Sequence, residues 1–304
     1  MTTTTDVREV VAAVDLGGTR TKAALVDRDL NVVAQVVEPT PQDLAAAIGA
    51  AVASVVSRLV TSTAGVRVVR CGVVVPGLVD ETTGIGVLSV NHGWRDLPIR
   101  ARVSEAVGIP TVVGHDVRAG LVAEARLGAA VGARDVLFLP VGTGIAAALM
   151  VDGHVLNGGG WAGELGHVGV DPDGPQCACG GTGCLEVIAS ASAVGREYAS
   201  RTGDLVDAKI VAQRVVDGDP VAVDVWERAV SALARAILAT ITLTGIDLVV
   251  VGGGLAQSGE TLLAPLRAEI EALRTFQRPP RIVTPLLADW AGCLGAACLA
   301  WDAS

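Results

Sequence analysis

Apolar positions along this chain come in two forms: short continuous runs that stop at glycine, and longer stretches in which they recur every three or four residues. The first form predicts buried strands and the second amphipathic helices. The run at residues 10–16 ends at Gly17-Gly18-Thr19, and residues 21–26 then resume an apolar pattern, which predicts a hairpin rather than a strand followed by a helix. Residues 136–152 repeat this design around Gly142-Thr143-Gly144, with apolar residues 145–151 on the far side.

Between the two turns the spacing predicts a helix over 42–60, a strand over 66–75, a helix over 99–107 and a short strand over 111–113. Beyond the second turn lies a glycine-rich stretch, 158–183, followed by helices near 185–200, 208–217 and 221–243. A strand at 247–251 runs into Gly252-Gly253-Gly254, and a helix over 259–274, a strand over 281–283 and a closing helix from about 289 to 301 complete the chain. This alternation indicates an α/β fold. The two glycine turns stand 124 positions apart, from Gly18 to Gly142, too far for a solenoid, so the repeated unit is a whole domain. Two related lobes facing a cleft are expected, and 304 residues suit two domains. No low-complexity linker separates them, which places the boundary at a hinge inside the fold.

About half the residues are apolar, enough for a sizeable core, yet charges, Gly or Pro interrupt the apolar stretches before the ~20 residues of a membrane span. Residues 1–9 are polar and lack the apolar core of a secretion signal, so a cytoplasmic protein with no membrane partner is expected. The formal charge of −9 argues against nucleic acid as a partner. Of six cysteines, Cys177, Cys179 and Cys184 crowd into eight positions, which points to metal in a reducing compartment rather than to a disulfide scaffold.

At the first turn, Asp15, Gly17, Gly18 and Thr19 combine a carboxylate, two residues without Cβ and a hydroxyl. Backbone N–H groups there can approach phosphate, and the carboxylate can hold Mg²⁺ directly or through water. An ordinary tight hairpin would read the same. Gly142, Thr143 and Gly144 supply a second jaw, and the pair favours a nucleotide. The chain has no Gly-Lys dipeptide and no Gly-x-Gly-x-x-Gly before a helix, which removes the P-loop and Rossmann alternatives. Gly252, Gly253 and Gly254 would let backbone lie against an adenine or ribose, or form a plain strand-to-helix turn.

His167 with Cys177, Cys179 and Cys184 offers one imidazole and three thiolates, the donor set of a closed tetrahedral zinc site. With every position filled by protein, such a zinc is structural rather than catalytic. Glu164 and Glu186 bracket these ligands, so the metal would fix two carboxylates for a sugar. Asp116, in Gly114-His115-Asp116-Val117-Arg118, sits where a strand passes into a helix running towards Leu127. A general base and a simple helix cap both fit that position, and locally the cap is the better account.

Taken together, these residues resemble the ROK family (repressors, open reading frames and kinases), most nearly its bacterial glucokinase-type members. The resemblance covers essentially the whole chain. It rests chiefly on Glu164-x-x-His167 with Cys177-x-Cys179-Gly180-x-x-Gly183-Cys184-x-Glu186, and on Asp15-x-Gly17-Gly18-Thr19. It implies a two-lobed actin-like ATPase (ribonuclease H-like) fold, with duplicated lobes, a central cleft and a zinc-bound loop. The lobes are expected at 1–117, completed by 290–304, and at 118–289.

The resemblance also implies an ATP-dependent sugar kinase in which Asp116 is the catalytic base. Glu164, His167 and Glu186 would contact sugar hydroxyls, and Gly77 and Asn91 would lie along the same pocket. The expected substrate is a hexose, foremost glucose at its 6-hydroxyl, ahead of N-acetylated amino sugars, fructose, mannose or allose; polyphosphate is an alternative donor. The family commonly reads Asn-Asp-Ala-Asn where this chain has His115-Asp116-Val117-Arg118. Histidine offers hydrogen bonds of a different shape from asparagine, so His115 and Arg118 bear on substrate identity. A sugar-sensing repressor is disfavoured, because the first hairpin begins by Val10 and leaves no room upstream for a helix-turn-helix. A homo-dimer or homo-tetramer is expected.

Overall fold

The computed structural model describes residues 7–89 and 92–303. Two compact units emerge, one made of Met1–Arg126, Asn157–Trp161 and Asp289–Ser304, the other of Leu127–Leu156 and Ala162–Ala288. The first unit therefore runs on to Arg126, past the expected boundary at 117, because the strand before Asp116 passes directly into its helix.

Unit 1 opens with β1 (Arg8–Leu16), β2 (Arg20–Val26), β3 (Val32–Pro39) and α1 (Leu44–Ser62). It continues with β4 (Val66–Val75), β5 (Leu78–Asp80), β6 (Ile85–Ser89), β7 (Trp94–Leu97), α2 (Ile99–Val107), β8 (Thr111–His115) and α3 (Asp116–Leu127). The main sheet has the order β3-β2-β1-β4-β8; β1 pairs antiparallel with β2 and parallel with β4, and β5, β6 and β7 form a separate three-stranded sheet. Val10 to Val14 of β1 are fully buried, as a central strand covered on both faces requires. α1 starts where Asp43 accepts a hydrogen bond from Ala46 N–H at 3.1 Å. It is long and apolar enough to cross a membrane by length and composition, yet Ile48, Val52, Val55 and Leu59 form one stripe buried in the core of unit 1.

Unit 2 contains β9 (Val136–Pro140), β10 (Ala148–Val151), β11 (His154–Val155), α4 (Leu185–Ala189), α5 (Ala191–Thr202), α6 (Ala208–Val216) and α7 (Pro220–Thr244). β12 (Leu248–Gly252), α8 (Gly253–Ala256), α9 (Glu260–Leu273) and β13 (Arg281–Val283) follow. The sheet order is β11-β10-β9-β12-β13, with β9 antiparallel to β10 and parallel to β12. Its strands thus repeat the order and pairing senses of the main sheet of unit 1. One helix expected over 185–200 is two, α4 and α5, because Ser190 leaves helical geometry and its hydroxyl accepts from Ala193 N–H at 3.1 Å to start α5. α7 is the core helix, burying Trp226, Leu233 and Ile237.

α10 (Ala291–Asp302) returns the chain to unit 1, where it packs on β1, β4 and β8. The fit admits no side chain at two glycines: a Cβ on Gly72 would lie 2.0 Å from the Ala296 carbonyl oxygen, and one on Gly295 would lie 2.1 Å from that of Ala119.

Candidate active site and metal cluster

The glycine-rich stretch of unit 2 folds into a knot closed by bridges between Gly169 and Cys184 and between Gln176 and Thr182. Cys177 N–H donates to the Gly181 carbonyl at 2.8 Å, which brings the two ends of the cysteine turn together. Gly183, at φ +61°, is irreplaceable: a Cβ there would sit 1.6 Å from the Asp171 carbonyl oxygen. The result gathers His167, Cys177, Cys179 and Cys184 with all ligand atoms within 4.8 Å of one another.

Cys177 Sγ is 3.7 Å from His167 Nδ1, and Cys179 Sγ is 3.6 Å from Cys184 Sγ. A tetrahedral ion with metal–sulfur bonds near 2.3 Å sets its sulfurs ~3.8 Å apart, so the four donors fit such a cation. Burial, and then the two neighbouring thiols, push the Cys184 thiol up to about 12, whereas the Gly181 N–H draws Cys179 below the ordinary thiol range. A divalent cation would supply the positive charge that thiolates this close to one another need. The other imidazole nitrogen, His167 Nε2, lies 3.9 Å from Glu164 Oε2, so the ring turns one nitrogen to the sulfurs and the other towards the expected sugar carboxylate.

Glu186, in the first turn of α4, reaches back to the second glycine hairpin, where its Oε2 accepts from Ile145 N–H at 2.8 Å. Gly144 makes room for it, since a Cβ there would lie 2.4 Å from the same oxygen. The hairpin is tied in turn to the triple glycine: Val141 N–H donates to the Gly252 carbonyl at 2.8 Å and Leu255 N–H to the Val141 carbonyl at 2.9 Å. Gly253, at φ +80°, would place a Cβ 2.5 Å from Val141, so its lack of a side chain serves this packing; Gly254 is open. Unit 2 thus brings together Gly142, Thr143, Gly144, Gly252, Gly253, Gly254 and Glu186. Beside Thr143 lies a cavity of about 540 Å³ lined also by Ser192, Arg196, Leu205 and Asp207, residues that no motif singled out.

In unit 1 the first hairpin holds Asp15 at the end of β1. The carboxyl lies against the start of α10, where a Cβ on Gly292 would come within 2.8 Å of Asp15 Oδ2. Burial, with the charge of Asp116 adding to it, lifts the Asp15 carboxyl to about 7, against the pull of Lys22. Lys22 itself donates to the Asp289 carbonyl. Gly17 meets the Arg20 carbonyl closely, Gly18 is open, and the Thr40 hydroxyl donates to the Gly17 carbonyl at 2.7 Å. Thr19 is exposed in the turn.

Asp116 is the first residue of α3, and its Oδ1 accepts from Val117 N–H at 2.8 Å. The capping role belongs to its neighbour: His115 Nδ1 is 3.2 Å from Val117 N and 3.3 Å from Arg118 N, accepting from both. His115 is 3% exposed and Arg118 3%. Arg118 Nε donates to Glu81 Oε1 at 2.9 Å. At these two positions, where the chain departs from the common family pattern, the side chains therefore engage the protein's own backbone and Glu81. Gly77, at φ +95°, fits closely against the Leu88 carbonyl, 2.5 Å from where a Cβ would be. Asn91 lies outside the described residues.

Comparison with known proteins identifies the family. The ROK family model matches residues 11–303. A glucokinase of Thermotoga maritima is 32% identical over 307 aligned residues, which cover 93% of this chain and 95% of that protein. An N-acetylmannosamine kinase of Escherichia fergusonii is 33% identical over 302 residues, covering 95% of this chain and 97% of that one. The ROK family glucokinase of Streptomyces griseus, solved in complex with glucose and AMPPNP, has a TM-score of 0.85 at 30% identity and covers 97% of this chain and 100% of its own. With its α/β architecture, its mixed sheets and its clustered cysteines and histidine all in place, the chain belongs to the ROK family.

Proposed function

We propose that this chain is an ATP-dependent sugar kinase that phosphorylates a hexose, foremost glucose at the 6-hydroxyl, with Asp116 as general base. The observation that carries the reading is the state of Asp116: among the described residues only its Oδ1 is engaged, by Val117 N–H, while His115 performs the capping that would otherwise occupy it. Asp116 takes the proton from the sugar hydroxyl as the hydroxyl oxygen attacks the γ-phosphorus and the bond to the ADP oxygen breaks. Asp15 is the residue that would hold the Mg²⁺ of the nucleotide, a role suited to a carboxyl whose ionisation is opposed by burial and by Asp116. Held there, the ion would supply positive charge to the phosphates. Gly17, Gly18 and Thr19 of unit 1, and Gly142, Thr143 and Gly144 of unit 2, are the turns assigned to phosphate through their backbone N–H groups.

The adenosine part is assigned to Gly252, Gly253 and Gly254 and to the cavity beside Thr143. Glu164, His167 and Glu186 are the further hydroxyl partners of the sugar, with Gly77, Asn91 and His115 completing the assignment. A structural Zn²⁺ held by His167, Cys177, Cys179 and Cys184 would fix the loop that carries Glu164, and the free thiols of that loop suit the reducing cytoplasm. The matching strand orders of the two sheets support an actin-like ATPase fold with duplicated lobes. A homo-dimer or homo-tetramer, read by light scattering, belongs to the same proposal.

The 33% identity to an N-acetylmannosamine kinase favours an N-acetylated amino sugar as the second reading. The deciding assay offers glucose, mannose, fructose, allose, N-acetylglucosamine and N-acetylmannosamine with ATP and, in parallel, polyphosphate. Zinc is measured on the same sample. A sugar 6-phosphate formed from glucose in preference to the others is the expected result, and no phosphorylated sugar from any of them refutes the kinase reading.

A further inference from the structure

Glu81 belongs to no motif, yet its carboxylate stands at the centre of the contacts around Asp116. Oε1 accepts from His115 N–H at 3.1 Å and from Arg118 Nε at 2.9 Å, one partner on either side of Asp116 in sequence. Oε2 accepts from Asn157 Nδ2 at 2.8 Å. Asn157 in turn uses its Oδ1 to accept from Gly160 N–H at 2.8 Å, which closes the turn that opens residues 157–161. That short segment belongs to unit 1 although the chain before and after it belongs to unit 2.

The hub is itself held rigid. Asp80 accepts from Thr82 N–H at 2.9 Å, Thr83 N–H at 3.2 Å and the Thr83 hydroxyl at 2.6 Å, shaping the turn that carries Glu81. Arg100 donates to the Glu81 carbonyl at 2.7 Å and the Thr82 carbonyl at 2.9 Å, anchoring the turn to α2. A carboxylate this firmly seated sets the place of whatever it binds.

We infer that Glu81 is a positioning residue for the catalytic carboxylate: by gripping His115 N–H, the Arg118 side chain and Asn157 at once, it fixes the backbone from which Asp116 reaches the sugar hydroxyl. The inference rests on the sugar-kinase reading above. It also gives His115 and Arg118 a part in aiming Asp116, beside the contact with the sugar assigned to His115. A misplacement of a reacting group by about 1 Å costs up to ~100-fold in rate.

Glu81→Gln tests this with little change of shape. The new amide would face the Asn157 amide, donor against donor, and flipping Asn157 would only turn its NH₂ towards Gly160 N–H. The double variant Glu81→Gln with Asn157→Asp reverses the polarity of the pair, because the carboxylate introduced at position 157 accepts from the new amide and from Gly160 N–H alike. Expected for Glu81→Gln is a kcat about 10- to 100-fold below the parent's. Its directly measured sugar Kd stays within about twofold, and the double variant regains most of the lost kcat. A mere brace would lower the melting temperature and leave kcat per folded molecule untouched. An active parent whose Glu81→Gln form keeps parental kcat, or whose double variant shows no recovery, overturns the inference alone. A parent that phosphorylates no sugar overturns the kinase reading and this inference with it.

Discussion

The two five-stranded sheets share one strand order, but they present different chemistry at their glycine hairpins. In unit 1, β2 and β3 are 7 and 8 residues long, and the hairpin is flanked by carboxylates, Asp15 within it and Asp116 near enough to help raise the Asp15 carboxyl to about 7. In unit 2, β10 and β11 shrink to 4 and 2 residues, and a carboxylate at the hairpin, Glu186, arrives from the end of the cysteine loop and is spent partly on Ile145 N–H. One hairpin is built to bear charge, the other to be packed. The common sheet fixes where backbone N–H groups stand, and what is inserted around it decides which chemistry meets them.

That contrast predicts a graded series of effects. Asp116→Asn removes the proton acceptor while keeping its shape, so turnover should fall about 10²- to 10⁴-fold with sugar Kd nearly unchanged. A coupled ADP assay beside direct sugar titration reads both, and a loss confined to binding would contradict the base assignment. Cys184→Ser, on the packed side, should cut bound zinc from about one ion per chain to none and lower activity ~10- to 100-fold. Full activity in a zinc-free variant would detach the cysteine loop from the sugar site.

Gly144→Ala tests the packing of the second hairpin, since its Cβ would intrude to 2.4 Å from Glu186 Oε2. A loss of ~1–2 kcal/mol in unfolding free energy is expected, with a raised KM for ATP, and unchanged values for both would show that Glu186 moves aside freely. The smallest effect concerns Asp15. Its folded carboxyl titrates at about 7, above the ordinary 3.8, so the folded chain holds that proton more tightly than the unfolded one. Its contribution to stability is therefore lost as pH rises from about 4 to about 7, and is level beyond. Asp15→Asn should melt several degrees above the parent at pH 8 and by a smaller margin at pH 5, whatever it does to activity. Coincident melting curves at both pH values would show that Asp15 carries no buried charge.

Much of this was legible in the sequence because it lies in local pattern. The runs ending at Gly17 and Gly142 foretold both hairpins, and the spacing of Cys177, Cys179 and Cys184 foretold the gathered thiols. β3, whose residues alternate between partly buried and exposed, gives only a weak signal, and β5 and β7 are too short at 3 and 4 residues to establish a period. The Glu81 hub is hidden for another reason: Glu81, Arg118 and Asn157 lie 37 and 39 positions apart, and nothing in a turn reading Asp80-Glu81-Thr82-Thr83 says that its acid faces inward. The cap formed by His115 is hidden too, since an imidazole nitrogen that accepts from Val117 and Arg118 N–H looks in sequence like a missing asparagine.

The seat of α10 bears on how the molecule comes into being. Gly72 of β4 and Gly295 within α10 itself allow this helix its close approach, and it lies against β1, β4 and β8, strands made far earlier by the ribosome. Unit 1 is assembled from three separated lengths of polypeptide, the last beginning at Asp289. During translation its sheet must wait, with one face uncovered, until almost the whole message has been read. Unit 2 can close as soon as β13 emerges. The half that bears Asp15 and Asp116 is thus the later to mature, so a chain released prematurely before Asp289 leaves a finished cysteine loop and no working kinase.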